Sequence, residues 1–266
     1  KVDVQRQVVM EEFKQTTLNK PYGDVSMILR AMAFKQHPYR WSTIGRKLSH
    51  IADVPVSVIR KFYKTYYAPD NAVLAVVGNI SFEQVMEWSE KWFGCIPAKG
   101  FVKPQLPVEP RQVRQRRKVV YRNVPENALY MGFHMGSRLS ADYYPCDVIS
   151  DVLSNGYSGR LMLRLVREQK LFSKIDAFIS GSEDAGMFWI YSRVAQGVRV
   201  EDAEAALWRE LDALKQELVP REELEKVRNR FESEFTFRNI GGENLSNNIA
   251  LACLRGDIDS HLREPE

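Results

Sequence analysis

Three cysteines in 266 residues, Cys95, Cys146 and Cys253, are too few and too irregularly spaced for a disulfide framework. None belongs to a C-x-x-C pair of the kind that holds structural zinc. Histidine is also scarce. The four, His37, His50, His134 and His261, include no pair three or four residues apart, so no helix presents a bis-histidine metal face. There is no Walker loop, no G-x-S-x-G and no G-x-G-x-x-G opening a helix. No apolar run approaches the roughly 20 residues that a membrane-spanning helix needs. A start methionine and a signal-peptide pattern are both missing, and "KVDVQRQVV" opens in mid-helix. That opening predicts a piece of a longer protein whose targeting segment lies elsewhere.

What is present is ordinary for a globular chain: 44% apolar and 27% charged residues, enough to build a core. A net charge of +4 is too small to imply a nucleic-acid partner. The run "RQVRQRRK", residues 111–118, is basic but has no stacking aromatics interleaved, and reads as a solvated connector.

Periodicity predicts helices over about 2–19, 24–34 and 53–67, with Asp24 as an N-cap. "AVLAVVG", 72–78, is a continuous β-branched apolar run that predicts a buried strand. Ser81 with Gln84 three residues on forms a capping box for a helix to about Phe93. Further strands are expected over "KVVYRNV" and "NALYMGFHM", then around 175–181 and 186–194. Helices are expected near 141–153, 160–170, 201–218, 221–237 and 243–255. "NGYSG", 155–159, is a helix-linking turn, or a place where free backbone N–H groups could hold an anion.

Pro97, Pro104, Pro107 and Pro110 mark residues 95–118 as an interdomain linker. It separates 1–94, the later part of one domain, from 119–266, most of a second. An internal echo supports two related units: "AVLAVVGNISFEQVMEWSEKWF" and "MFWIYSRVAQGVRVEDAEAALWREL" both read strand, polar turn, amphipathic helix. Helices alternating with antiparallel-type strand pairs predict an α+β fold, a layered sheet flanked by helices in two homologous domains, both incomplete in this chain. By the same echo the second unit lacks its last helix and strand.

One carboxylate is oddly placed. At about 100° per residue, Val2, Val9 and Phe13 share a side of the first helix with Gln5, Glu12 and Thr16, while Glu11 points away. A buried carboxylate needs a partner, because losing its water is costly. An arginine, a shared proton or a metal would serve. On periodicity alone Glu12 reads at the edge of the stripe, reaching solvent.

The ordered set "QRQVVMEEFKQ", "HPYRWSTIG", "FYKTYYAPDNAVLAVVGNIS", "EKWFGCIP" and "YSGRLMLRLVREQKLFS" resembles the insulinase/pitrilysin-type zinc metallopeptidases, including the mitochondrial processing peptidases. The resemblance covers nearly the whole chain. It implies paired homologous α/β domains, the first carrying an inverted H-x-x-E-H zinc motif, which would lie outside this segment. The family's third zinc ligand is a glutamate in a pattern like E-R-x-V-V-x-E-E. Here "QRQVVMEE" puts Glu12 on that ligand position and Gln5 where a second acid is usual, a departure. The resemblance also implies a substrate-facing arginine followed by a tyrosine. Arg167 holds the arginine position and Ser173 stands at the tyrosine position, a second departure.

The function so implied is zinc-dependent endoproteolysis of peptide or unfolded polypeptide held in extended form. Zinc belongs to the parent protein and is not expected to be firmly held by this segment. The segment itself is expected to be inactive. The alternative is a non-catalytic partner or structural subunit of the same family, in a homodimer or with a paired homologous subunit. Nucleic acid is not expected as a partner. His37 reads as part of a structural "HPY" turn, and His134 as a satisfied core residue.

Overall fold

The computed structural model describes residues 1–238, 240–256 and 258. His261 lies outside the described residues. The chain divides into two compact units: Lys1–Ala52 with Leu106–Val227, and Asp53–Gln105 with the described residues from Arg228 on.

The first unit is built on three antiparallel strands, β1 (Tyr130–Met135), β2 (Phe172–Ser180) and β3 (Gly186–Val194), in the order β1-β3-β2. The central strand, "GMFWIYSRV", is buried along most of its length on both faces, so it reads as a nearly continuous apolar run. On one face Phe188, Ile190 and Val194 join Met131, Phe172, Ile175 and Ala177. Against them pack Leu153 of α6 (Tyr143–Ser154), Leu161 and Leu165 of a π-helical segment (Leu161–Glu168), and Ala203, Ala206 and Leu207 of α7 (Val200–Gln216). Each large side chain buried here contributes about 1.5–3 kcal/mol. On the other face Met187 and Trp189 meet Ala33 and Phe34 at the end of α2 (Val25–Ala33). The helix-flanked antiparallel sheet is the α+β architecture that the sequence predicts.

Ahead of α2, α1 (Val2–Phe13) runs on into a short π-helical turn, Lys14–Leu18. The chain then reverses through Pro21, Tyr22 at φ +62° and Gly23. A Cβ on Gly23 would sit 2.6 Å from the carbonyl oxygens of Thr16 and Thr17, so only glycine fits there. Asp24 occupies the N-cap position but makes no side-chain cap, because its carboxylate pairs with Arg122 at 3.0 Å.

The second unit contains α4 (Val56–Tyr66), α5 (Phe82–Phe93), the later part of α8 (Arg221–Arg238) and α9 (Gly242–Leu254). A short α3 (Leu48–Asp53), unanticipated in the sequence, precedes Pro55. Ser81 Oγ accepts the N–H of Gln84 at 3.2 Å, the expected cap of α5. Asp70 accepts the backbone N–H groups of Lys99 (3.1 Å) and Phe101 (2.8 Å), which fastens the chain beyond α5.

Two strand expectations fail. Residues 72–78 and 118–124 form no strand and belong to no ladder among the described residues. Leu74, Val76 and Val77 are exposed. A β-branched apolar run becomes a strand only when a neighbour satisfies its backbone, and none is described beside either segment. The basic run 111–118 is partly tied into the fold. Arg117 forms a two-pronged ion pair with Glu204 (both 2.7 Å), and Arg116 donates to the carbonyls of Met32 and Ala33 at the end of α2.

Candidate functional site

The buried stripe of α1 runs through Phe13 and on to Thr17, with Arg6, Val9 and Met10 half-buried on the way. Gln5, Glu11 and Glu12 are all exposed. Of the two sequence readings of Glu12, its exposure agrees with the one at the edge of the stripe, reaching solvent, and not with an inward-facing carboxylate. The stripe lies one step round the helix, at the 6-10-13-17 spacing, and Glu12 falls outside it. The two glutamates nevertheless differ. Glu11 is paired with Lys14 at 2.7 Å, one turn on. The Glu12 carboxylate has no hydrogen bond or ion pair among the described residues; only its backbone oxygen is engaged, by Thr16 Oγ1 at 2.7 Å. Glu12 is thus an uncommitted carboxylate on a well-anchored helix.

No group of three or more histidine, cysteine, aspartate or glutamate side chains able to hold a metal occurs among the described residues. Catalytic zinc takes three protein ligands. Glu12 brings one carboxylate, so the described residues do not by themselves fit a zinc ion.

Arg167 is exposed near the end of the π-helical segment, its guanidinium 5.4 Å from the ring centre of Tyr157. It has no carboxylate partner among the described residues. Its neighbour Arg164, by contrast, is paired with Glu210 at 2.8 Å. Ser173 is exposed at a bulge in β2, where the register slips between Phe172 and Lys174. A bulged residue is left out of the ladder and re-aimed. No hydrogen bond, ion pair or ring contact joins Glu12, Arg167 or Ser173 to one another among the described residues.

The turn that carries Tyr157 is held firmly. Arg160, nearly buried, makes a two-pronged pair with Glu223 of α8 (2.8 and 3.2 Å). Lys226 donates to Ser158 Oγ at 3.1 Å. Tyr157 escapes sequence reasoning because it lies ten residues before Arg167, in a turn with no periodicity.

His37 is buried, and its Nδ1 accepts the N–H of Tyr39 at 3.2 Å, so its structural reading stands. The carboxylate that organises its loop was missed. Glu109, within the proline-rich stretch, accepts the backbone N–H groups of Lys35 (2.7 Å), Gln36 (2.8 Å) and His37 (3.0 Å). Burial pushes the Glu109 carboxyl up, but these three donors outweigh it and hold the group below its ordinary value. His134 is exposed on β1, not in the core, although its ring meets Phe34 edge-on at 5.4 Å.

Residues 53–231 match the family model described as the peptidase M16 inactive domain. The chain belongs to the M16 peptidase family. It is 28% identical to the zinc protease PqqE of Helicobacter pylori over 259 residues, covering 96% of this chain and 58% of that protein. It is 26% identical to the uncharacterized zinc protease YmxG of Bacillus subtilis, over 83% of this chain and 52% of the relative. The chain spans about half the length of these curated relatives. The crystal structure of a protease from Helicobacter pylori superposes with a TM-score of 0.88 at 25% identity, over 99% of this chain and 64% of that one. A peptidase M16 inactive domain from Pseudomonas fluorescens shares the fold, with a TM-score of 0.78 at 16% identity, over 99% of this chain and 62% of that one.

Proposed function

We propose that this chain is part of a zinc metallopeptidase that hydrolyses polypeptide held in extended form. Glu12 supplies one zinc-ligating carboxylate and Arg167 contacts the substrate. The uncommitted state of the Glu12 carboxylate, beside a Glu11 already engaged with Lys14, carries this reading. Relatives named zinc proteases support it. On this proposal residues 1–94 belong to the zinc-carrying domain, 95–118 link, and 119–266 form the non-zinc domain. On the same proposal the remaining ligands come from outside this 266-residue segment, so the segment alone is inactive. The partner is a homologous subunit or a second copy.

The test uses the full-length parent protein and an internally quenched peptide. Cleavage that is lost on chelation and restored by zinc supports the proposal. A zinc-loaded parent that cleaves no peptide contradicts it.

A second reading rests on Gln5 and Ser173, the two places where an expected acid and phenol are replaced. On that reading the protein is a non-catalytic subunit that pairs with an active relative. A parent that is inactive alone, yet raises the activity of such a relative, would favour it.

A further inference from the structure

The end of α1, the helix α2 and the loop that follows it border a cavity of about 670 Å³. Its apolar lining includes Phe13, Met27, Ile28, Ala31, Met32 and Trp41. On α2, Met27 with Ala31 and Ile28 with Met32 are each four residues apart, so the four form one stripe along the helix. Ala33, on a different side of α2, packs against the sheet with Trp189.

Five cations line the same cavity, Lys35, Arg40, Arg46, Lys47 and Lys118, against one carboxylate, Asp24. Asp24 is already paired with Arg122 at 3.0 Å. Lys35 and Arg40 donate only to backbone carbonyls, of Ala31 and Lys35 (both 2.9 Å), which orients them without neutralising their charge. Arg46, Lys47 and Lys118 have no hydrogen bond or ion pair among the described residues, and all three are exposed.

This excess of one sign is visible in the sequence. Residues 25–52 carry five cations and no acid, and residues 110–125 carry six and no acid, although aspartate and glutamate number 34 in the chain. Protein surfaces ordinarily intersperse both signs, and a single-sign field attracts its opposite. The first stretch forms most of the cavity wall, and Lys118 brings the second to it.

We propose that this cavity binds an acidic peptide segment with an apolar residue at its centre. The apolar side chain enters against the α2 stripe, and the flanking carboxylates meet the five cations. Phosphate alone would leave the apolar lining unused. Nucleic acid calls for successive stacking rings, whereas the stripe is aliphatic and Phe13 is buried, leaving Trp41 as the one exposed ring among the lining residues. This inference is independent of zinc and of the assignments of Glu12 and Arg167.

Fluorescence anisotropy on the full-length parent protein tests it, with rhodamine-labelled Glu-Glu-Leu-Phe-Glu-Glu as the probe. Binding is expected, and it should weaken as salt rises. A peptide with glutamine for glutamate, and one with serine for leucine and phenylalanine, should each bind about tenfold more weakly or worse. Arg46→Gln with Lys47→Gln should weaken binding about five- to tenfold, as two exposed charges would. Lys61→Gln with Lys103→Gln removes the same charge from residues that do not line the cavity, and should change binding less than about twofold. Ala31→Glu, at an exposed helix position and checked for folding by circular dichroism, should abolish binding. A parent protein that does not bind the peptide, or equal loss in the two double variants, overturns the site. Undiminished binding of the serine peptide reduces it to general charge attraction and overturns the apolar contact. A single-stranded oligonucleotide that competes more strongly than the unlabelled peptide overturns the peptide as ligand.

Discussion

Glu109 Oε2 accepts the backbone N–H of His37 at 3.0 Å, joining the proline-rich stretch to the buried histidine of the "HPY" turn. The same carboxylate takes the N–H groups of Lys35 and Gln36, so one side chain satisfies three successive donors beyond the end of α2. The carboxyl is held below its ordinary value of 4.5. A group with a lowered folded pKa contributes stability above its unfolded pKa, and that stability is lost as pH falls through the folded value. The latch is therefore intact at neutral pH and releases below about pH 4.5. The protection factors of the Lys35, Gln36 and His37 amides, corrected for the intrinsic pH dependence of exchange, should fall in that acid window and hold steady above it. Glu109→Ala should lower them at pH 7, at a cost of about 1 kcal/mol, since hydrogen bonds to a part-exposed charge are weakened by solvent.

Arg160 and Glu223 form an ion pair whose arginine side chain is 7% exposed and whose glutamate is 30% exposed. Removing one partner of a buried pair leaves an uncompensated charge. Glu223→Ala should cost about 3 kcal/mol in urea unfolding, the low end of the range for buried pairs because the glutamate is partly open. Arg160→Met in the same background should recover much of that loss. A cost below about 1 kcal/mol for Glu223→Ala would mean that the pair behaves as a surface one.

Tyr157 stacks under Arg167, and an exposed cation–π contact contributes about 0.5–1 kcal/mol. If Arg167 meets substrate, Tyr157→Ala in the full-length parent should raise KM about two- to fivefold and leave kcat and the melting temperature unchanged. Tyr157→Phe should behave as wild type, because the ring and not the hydroxyl holds the guanidinium. An unchanged KM in Tyr157→Ala would remove Arg167 from the substrate path.

Which features were legible in the sequence follows from where their information lies. β3 and the cap at Ser81 were readable because alternation, burial and capping are local. The run 72–78 was misread because strand character was inferred from composition, whereas a ladder depends on a neighbour that no local pattern reveals. The stripe of α1 was drawn one step off because a half-buried arginine, Arg6, belongs to it, and a search for apolar residues alone passes over it. Asp24 lost its cap to Arg122, 98 residues away, and Glu109 finds its donors more than 70 residues back. Long-range polar pairs leave no periodic trace.

On the proposed function Glu12 is a metal-ligating carboxylate and Glu11 is not. A carboxylate oxygen is a good zinc ligand and a neutral amide a much poorer one. The most direct measurement is the zinc content per chain of the full-length parent, by elemental analysis after dialysis against a weak chelator, for wild type, Glu12→Gln and Glu11→Gln. The account predicts about one zinc in wild type and in Glu11→Gln, whose only loss is a surface ion pair with Lys14, and a content several-fold lower in Glu12→Gln. Full zinc occupancy in Glu12→Gln, or equal loss in both variants, would contradict it.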